Sequence, residues 1–182
     1  MSFVKPRSHL ARGFTILELA FVILIIAILL TMLVAISDSV RARAEKASCM
    51  ANLRGLYSGA SSYVTDQGHW PQINPLLVRD ESKQYARLWI DSLSPYGFSQ
   101  VNWICPSQQR ALGSPDLTEK NYARVDYNAT PFDDRPYTAY LWPTQPWFVE
   151  HAAAHDGGPL LIYTNGQVVT LSQALRARSA TR

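Results

Sequence analysis

Residues 14–36 read Phe-Thr-Ile-Leu-Glu-Leu-Ala-Phe-Val-Ile-Leu-Ile-Ile-Ala-Ile-Leu-Leu-Thr-Met-Leu-Val-Ala-Ile, with Glu18 as the single charge. A helix of this length rises about 34 Å, and a hydrocarbon core is about 30 Å thick. The stretch is apolar all round, so it needs apolar surroundings on every side. Nothing else in the 182 residues is apolar enough to wrap it as the core helix of a soluble protein. The expectation is one membrane span over 14–36 with a water-facing domain behind it.

The flanks set an orientation. Lys5, Arg7 and Arg12 precede the span with no acidic residue among them, and the positive-inside rule puts them in the cytoplasm. Arg41, Arg43 and Lys46 follow the span, interleaved with Asp38 and Glu45. Without the three leading cations, 14 basic residues balance 14 acidic ones. That neutrality excludes a general nucleic-acid footprint. An apolar share of 47% excludes a disordered chain, and two cysteines exclude a disulfide-framework mini-protein or a multi-cysteine zinc module. A secretory signal peptide shares the basic start, but the apolar run is long for one and no clean small-x-small cleavage pattern follows it.

The residues Arg12-Gly13-Phe14-Thr15-Ile16-Leu17-Glu18-Leu19 resemble the processing site of type IV prepilins and type II secretion pseudopilins. In that family a short basic leader ends in glycine. The resemblance implies that a prepilin peptidase cuts after Gly13 on the cytoplasmic side and methylates Phe14. Glu18 then falls at the family's fifth mature position. A carboxylate in a membrane helix is expensive and marks function. The amine released at Phe14 lies one helical turn from Glu18 on the same side, so the two charges can neutralise each other within a subunit or between staggered neighbours. A glutamate simply reaching water at the interface is the alternative.

Beyond the span, Ile36, Val40, Ala44, Ala47, Ala51, Leu53, Leu56, Tyr57, Ala60, Tyr63 and Val64 recur near helical spacing, and residues 37–67 contain no proline. Gly68 supplies the stop, with Pro71 just beyond. A helix from Phe14 to Gln67 is about 80 Å long. The expected plan is a leader over 1–13, a transmembrane and assembly helix over 14–36, its amphipathic continuation over 37–67, and a globular head over 68–182. The fold class is α+β: a long N-terminal helix packed on a small antiparallel β-sheet, as in pilin-like proteins.

Within the head, Tyr85, Leu88, Trp89 and Leu93 fall on one face of a helix over Ser82–Leu93. Strand candidates are Val101–Ile104, Arg124–Asn128, Tyr137–Trp142 and Trp147–Glu150. Leu160–Tyr163 and Gln167–Leu171 flank Thr164-Asn165-Gly166, and Asn-Gly between two β-type runs is a strong hairpin signal. The tail from Ser172 is expected to fray.

Three further segments resemble a subset of bacterial pilin-like proteins. They are Cys49-Met-Ala-Asn-Leu-Arg54 with Gly68-His-Trp-Pro71, the Cys105-Pro106-Ser107 segment, and His155 followed by nine residues and then Asn165-Gly166. The family's last element ends in Asp-Gly. Asn165 in place of aspartate keeps a turn role and puts a charged or metal-binding role in doubt.

Catalytic chemistry finds little to stand on: no His-Glu-x-x-His, nucleophile elbow or phosphate loop is present. His151 and His155 sit four apart, but Gly157-Gly158 and Pro159 make that segment irregular, so turn and surface histidines are the plainer reading. Asp126, Asp133 and Asp134 are weak candidates for calcium, as bound by the major pseudopilin of type II secretion; a solvated acidic turn is the plainer reading, and no metal or cofactor is expected. Tyr137, Tyr140, Trp142, Trp147 and Phe148 either form a recognition surface or plug the gap between helix and sheet. Cys49 and Cys105 both lie in the part placed outside the cytoplasm, where disulfides persist. They form either a bond tying helix to head or two separate buried thiols.

The resemblance thus implies a pseudopilin or minor pilin: a structural subunit, not an enzyme. Its partners are the prepilin peptidase, other pilin or pseudopilin subunits and an inner-membrane assembly platform. It would cross the inner membrane once, with its head in the periplasm, and pass into an extracytoplasmic fibre. The alternative is a single-span, membrane-anchored periplasmic binding or sensor protein that does not polymerise.

Overall fold

A computed structural model describes residues 15–112 and 123–180, except for the side chains of residues 33–36 and 111. Gly13, Phe14 and the expected leader lie outside the described residues. The architecture is α+β: a 52-residue helix α1 (Ile16–Gln67) and a four-stranded antiparallel sheet. The chain divides into two units, Met1–Arg41 and Ala42–Arg182.

In the first unit the described part of α1 is exposed, from Ile16 through Met32. Thr15 caps the helix: its Oγ1 accepts the Glu18 N–H at 3.2 Å and its carbonyl accepts the Leu19 N–H at 3.1 Å. Thr31 returns its hydroxyl to the Ile28 carbonyl at 2.7 Å, so it exposes no unpaired donor on an apolar surface. This stretch is long and apolar enough to cross a membrane.

In the second unit the same helix changes character. Cys49, Leu53, Leu56, Ala60 and Val64 form a buried stripe, at the three- and four-residue steps that keep one helix face turned to a core. Gly55 and Gly59 stand against the Phe98 ring; a Cβ on Gly59 would come within 2.5 Å of it. The glycines therefore trade helix propensity for close approach of an aromatic ring. Gly68, at φ 81°, ends the helix.

After α1 come α2 (Leu77–Asp80), α3 (Ser82–Leu93) and α4 (Pro106–Leu112). Of the α3 face predicted from spacing, Tyr85, Trp89 and Leu93 are buried, together with Ala86, while Leu88 is exposed. The sheet follows in sequence order, β1 (Tyr127–Ala129), β2 (Pro146–Glu150), β3 (Leu160–Tyr163) and β4 (Val168–Thr170), each antiparallel to the next. Asn165-Gly166 closes the β3–β4 hairpin: Gly166 takes φ 75°, and the Asn165 side chain accepts the Gln167 N–H at 2.9 Å. The core is largely aromatic. Trp70 packs on Trp89, Phe132, Trp147 and Phe148 with ring centroids 5.0–5.8 Å apart.

Several expected elements differ. Val101–Ile104 is not a strand: Gln100–Trp103 is a 3-10 turn, held by a reciprocal cap between Ser99 and Asn102. Tyr137–Trp142 is likewise a turn, entered through Tyr137 at φ 55°, a conformation strands do not accommodate. The strand placed at Arg124–Asn128 begins only at Tyr127, because Asp126 is engaged outside the ladder. The tail does not fray at Ser172 but forms α5 (Leu171–Ala180). Thr170 and Gln173 cap it reciprocally: the Gln173 N–H meets Thr170 Oγ1 at 3.3 Å, and the Thr170 N–H meets Gln173 Oε1 at 2.9 Å. That Thr-x-x-Gln spacing was legible in the sequence. So was Pro106, a good first residue for α4.

Candidate functional site

Four chemistry-bearing side chains converge where α1 meets the head. Cys49 comes from the buried stripe of α1. Cys105 lies between the Gln100–Trp103 turn and α4. Glu150 ends β2, and His155 lies in the 151–158 link between β2 and β3. Cys49 and Cys105 are joined in a disulfide, with Cα atoms 5.2 Å apart. His155 Nε2 lies 3.8 Å from Cys105 Sγ and 3.1 Å from Glu150 Oε1. Both ionisable side chains of this pair are essentially inaccessible, 2% and 0% exposed.

The surroundings hold this cluster in place. Asp126, itself buried, accepts the Cys105 N–H through Oδ2 at 2.9 Å and pairs with both Nε and Nη2 of Arg124, at 2.6 and 2.8 Å. Its backbone N–H donates to the Trp103 carbonyl, and its carbonyl accepts the His151 N–H. On the opposite side, Asn52 Nδ2 donates to the Ile104 carbonyl at 2.9 Å, fixing the segment before Cys105 against α1. Leu160 N–H donates to Glu150 Oε2 at 3.1 Å. At the rim, Lys46 Nζ reaches the Asp156 carbonyl at 3.3 Å, and Glu45 takes Arg110 and Ser107.

Burial dominates the electrostatics. It pushes the Glu150 carboxyl up to about 7, against which the Leu160 N–H works in the other direction. It pushes the His155 imidazole down. Both directions favour a neutral pair sharing one hydrogen bond over two buried ions. The stability consequence has a definite sign. Between the ordinary carboxylate value and about 7, folded Glu150 keeps a proton that the unfolded chain has lost, so its contribution falls as pH rises through that window. His155 acts oppositely, losing stability as pH falls through the ordinary imidazole range. Glu150→Gln removes the first of these. Relative to the parent it should gain about 3 kcal/mol between about pH 5 and about pH 8, read from urea titrations at each pH. A constant difference across that range would show that Glu150 titrates normally.

The other residues singled out from the sequence are dispersed. Glu18 is in the first turn of α1. Asn165 and Gly166 form the hairpin turn, where a Cβ on Gly166 would meet the Tyr57 ring at 3.4 Å. Tyr57 Oη also donates to the Thr164 carbonyl at 2.6 Å, so this turn docks on α1. His155 and Asn165-Gly166 thus serve separate places, the buried cluster and the hairpin. His151 is exposed and meets Asn128 Nδ2, while His155 is turned inward. Asp133 pairs with Arg135, and neither it nor Asp134 joins Asp126 in a ligand group among the described residues. The aromatic run divides: Trp147 and Phe148 are core, Tyr140 packs on Trp147, and Tyr137, Leu141 and Trp142 are exposed.

Glu150 was missed in the sequence. Its signal was a carboxylate two residues after Phe148, on an inward-facing step of an otherwise apolar strand. Known protein families, curated proteins and solved structures were each compared with the chain, and none matches it.

Proposed function

We propose that the chain is a pilin-like structural subunit, a pseudopilin or minor pilin, that is processed by a prepilin peptidase and assembled into a type II secretion pseudopilus or type IV pilus-like fibre. The observation that carries this reading is the single helix α1. Its first part is apolar and exposed with one carboxylate in the first turn, and its second part is the spine of a folded head. An anchor needs only the span. Here one helix carries both the span and a core stripe of the head, as a fibre subunit requires. Its mechanism is packing: each large apolar side chain is worth about 1.5–3 kcal/mol when buried, so the span leaves lipid only for an equally apolar bundle. Glu18 sets register by pairing with the new N-terminal amine of a neighbour. The disulfide favours an oxidising compartment for the head.

Processing tests the reading. Mass spectrometry of protein extracted from a strain with an active prepilin peptidase should find methylated Phe14 at the N-terminus. Glu18→Ala should then insert and be cut normally, yet be depleted from sheared fibres. An intact start at Met1 would end the fibre reading and favour a membrane-anchored protein that never polymerises.

A further inference from the structure

Cys49 Sγ, Cys105 Sγ, Glu150 and His155 each offer one ligand atom, and these four atoms all lie within 4.8 Å of one another. In tetrahedral zinc sites, bonds of about 2.0–2.3 Å place ligand atoms about 3.3–3.8 Å apart. The cluster therefore needs only a small contraction, together with separation of the two sulfurs, to enclose an ion. His155 already aims Nε2 at both Glu150 Oε1 and Cys105 Sγ. Two outer contacts hold ligand residues in place. Leu160 N–H holds Glu150 Oε2, leaving Oε1 pointing inward, and Asp126 holds the Cys105 backbone.

We propose that reduction of the Cys49–Cys105 disulfide turns this cluster into a zinc site with Cys49, Cys105, His155 and Glu150 as its four ligands. Two thiolates, an imidazole and a carboxylate form a donor set that suits zinc over hard cations. The balance is simple. A dithiol reductant gives up two electrons and two protons, becomes its own disulfide, and leaves two thiols. Zinc then forms two Zn–S bonds, one bond to His155 Nε2 and one to a Glu150 carboxylate oxygen, and the two thiol protons and the proton held by Glu150 go to solvent. One pair of cysteines thus ties α1 to the head in either redox state, covalently when oxidised and through the ion when reduced. The proposal is independent of the fibre reading.

Cobalt(II) reports on such a site directly. Full-length protein in detergent, reduced with a dithiol and freed of it anaerobically, should take up a single equivalent of cobalt. It should then show thiolate-to-cobalt charge-transfer and tetrahedral d–d bands that zinc abolishes. Oxidised protein should show neither. His155→Ala and Glu150→Gln should each weaken binding at least about tenfold, with near-ultraviolet circular dichroism confirming a native head. Four results would overturn the proposal: no bands from a reduced, folded chain; equal binding by the oxidised form; unchanged affinity in both variants; or a reduced chain that unfolds and is not restored by zinc.

Discussion

Replacing both Cys49 and Cys105 by alanine should cost the head about 4 kcal/mol. The two residues are 56 apart in sequence, and a cross-link closing a loop of that size removes about this much chain entropy from the unfolded state. Alanine preserves small apolar volume at two fully buried positions, so the loss reports the cross-link more than a cavity. For the unit Ala42–Arg182 this corresponds to a fall of about 10–15 °C in Tm. Urea titration of the full chain in detergent, with chelator present and followed by tryptophan fluorescence, measures it. A loss below about 1 kcal/mol would mean that packing alone holds α1 to the head and that the cross-link is dispensable.

Trp147→Ala should be of similar size, about 3–5 kcal/mol. Trp147 is fully buried, and it is the ring through which β2 grips α1. Its centroid lies 4.8 Å from Tyr57 on the helix, and 5.0 Å from both Trp70 and Tyr140. Its indole N–H donates to the Ala139 carbonyl at 3.0 Å, which anchors the Thr138–Tyr140 turn. Removing it opens a cavity among rings that cannot all shift inward, and it unpairs a buried carbonyl. Trp147→Phe keeps part of the ring packing and should recover about half of the loss. If the alanine variant melts with the parent, the aromatic cluster is not the seat of the head's stability. The two tests probe different contacts with α1: the disulfide ties its Cys49 turn, and Trp147 packs two turns further along, at Tyr57.

The membrane-competent helix was legible from residues alone. A run of uninterrupted apolar side chains leaves the backbone no local alternative, and the stripe from Cys49 to Val64 repeats at steps that only a helix superimposes. Helix α3 and the Asn165-Gly166 hairpin were equally local. Apolar periodicity specifies the one, and the need for positive φ specifies the other. What failed was the short apolar stretches at 101–104 and 137–142. Their composition suits strands, yet they turn, because caps and a left-handed residue outweigh a weak β preference.

The buried cluster belongs to tertiary structure. Cys49, Cys105, Glu150 and His155 lie on four separate segments, and no local pattern relates them. They meet because the buried stripe of α1 sets Cys49 inward, Asp126 pins the Cys105 backbone, and β2 pairs with β1 and β3 in a register that turns Glu150 toward the core. Glu150 read by itself is a charged strand end, and His155 a turn histidine. Only burial in the folded head raises the one pKa and lowers the other. Burial is a property of everything packed around a group, and it is decided after the segments are placed.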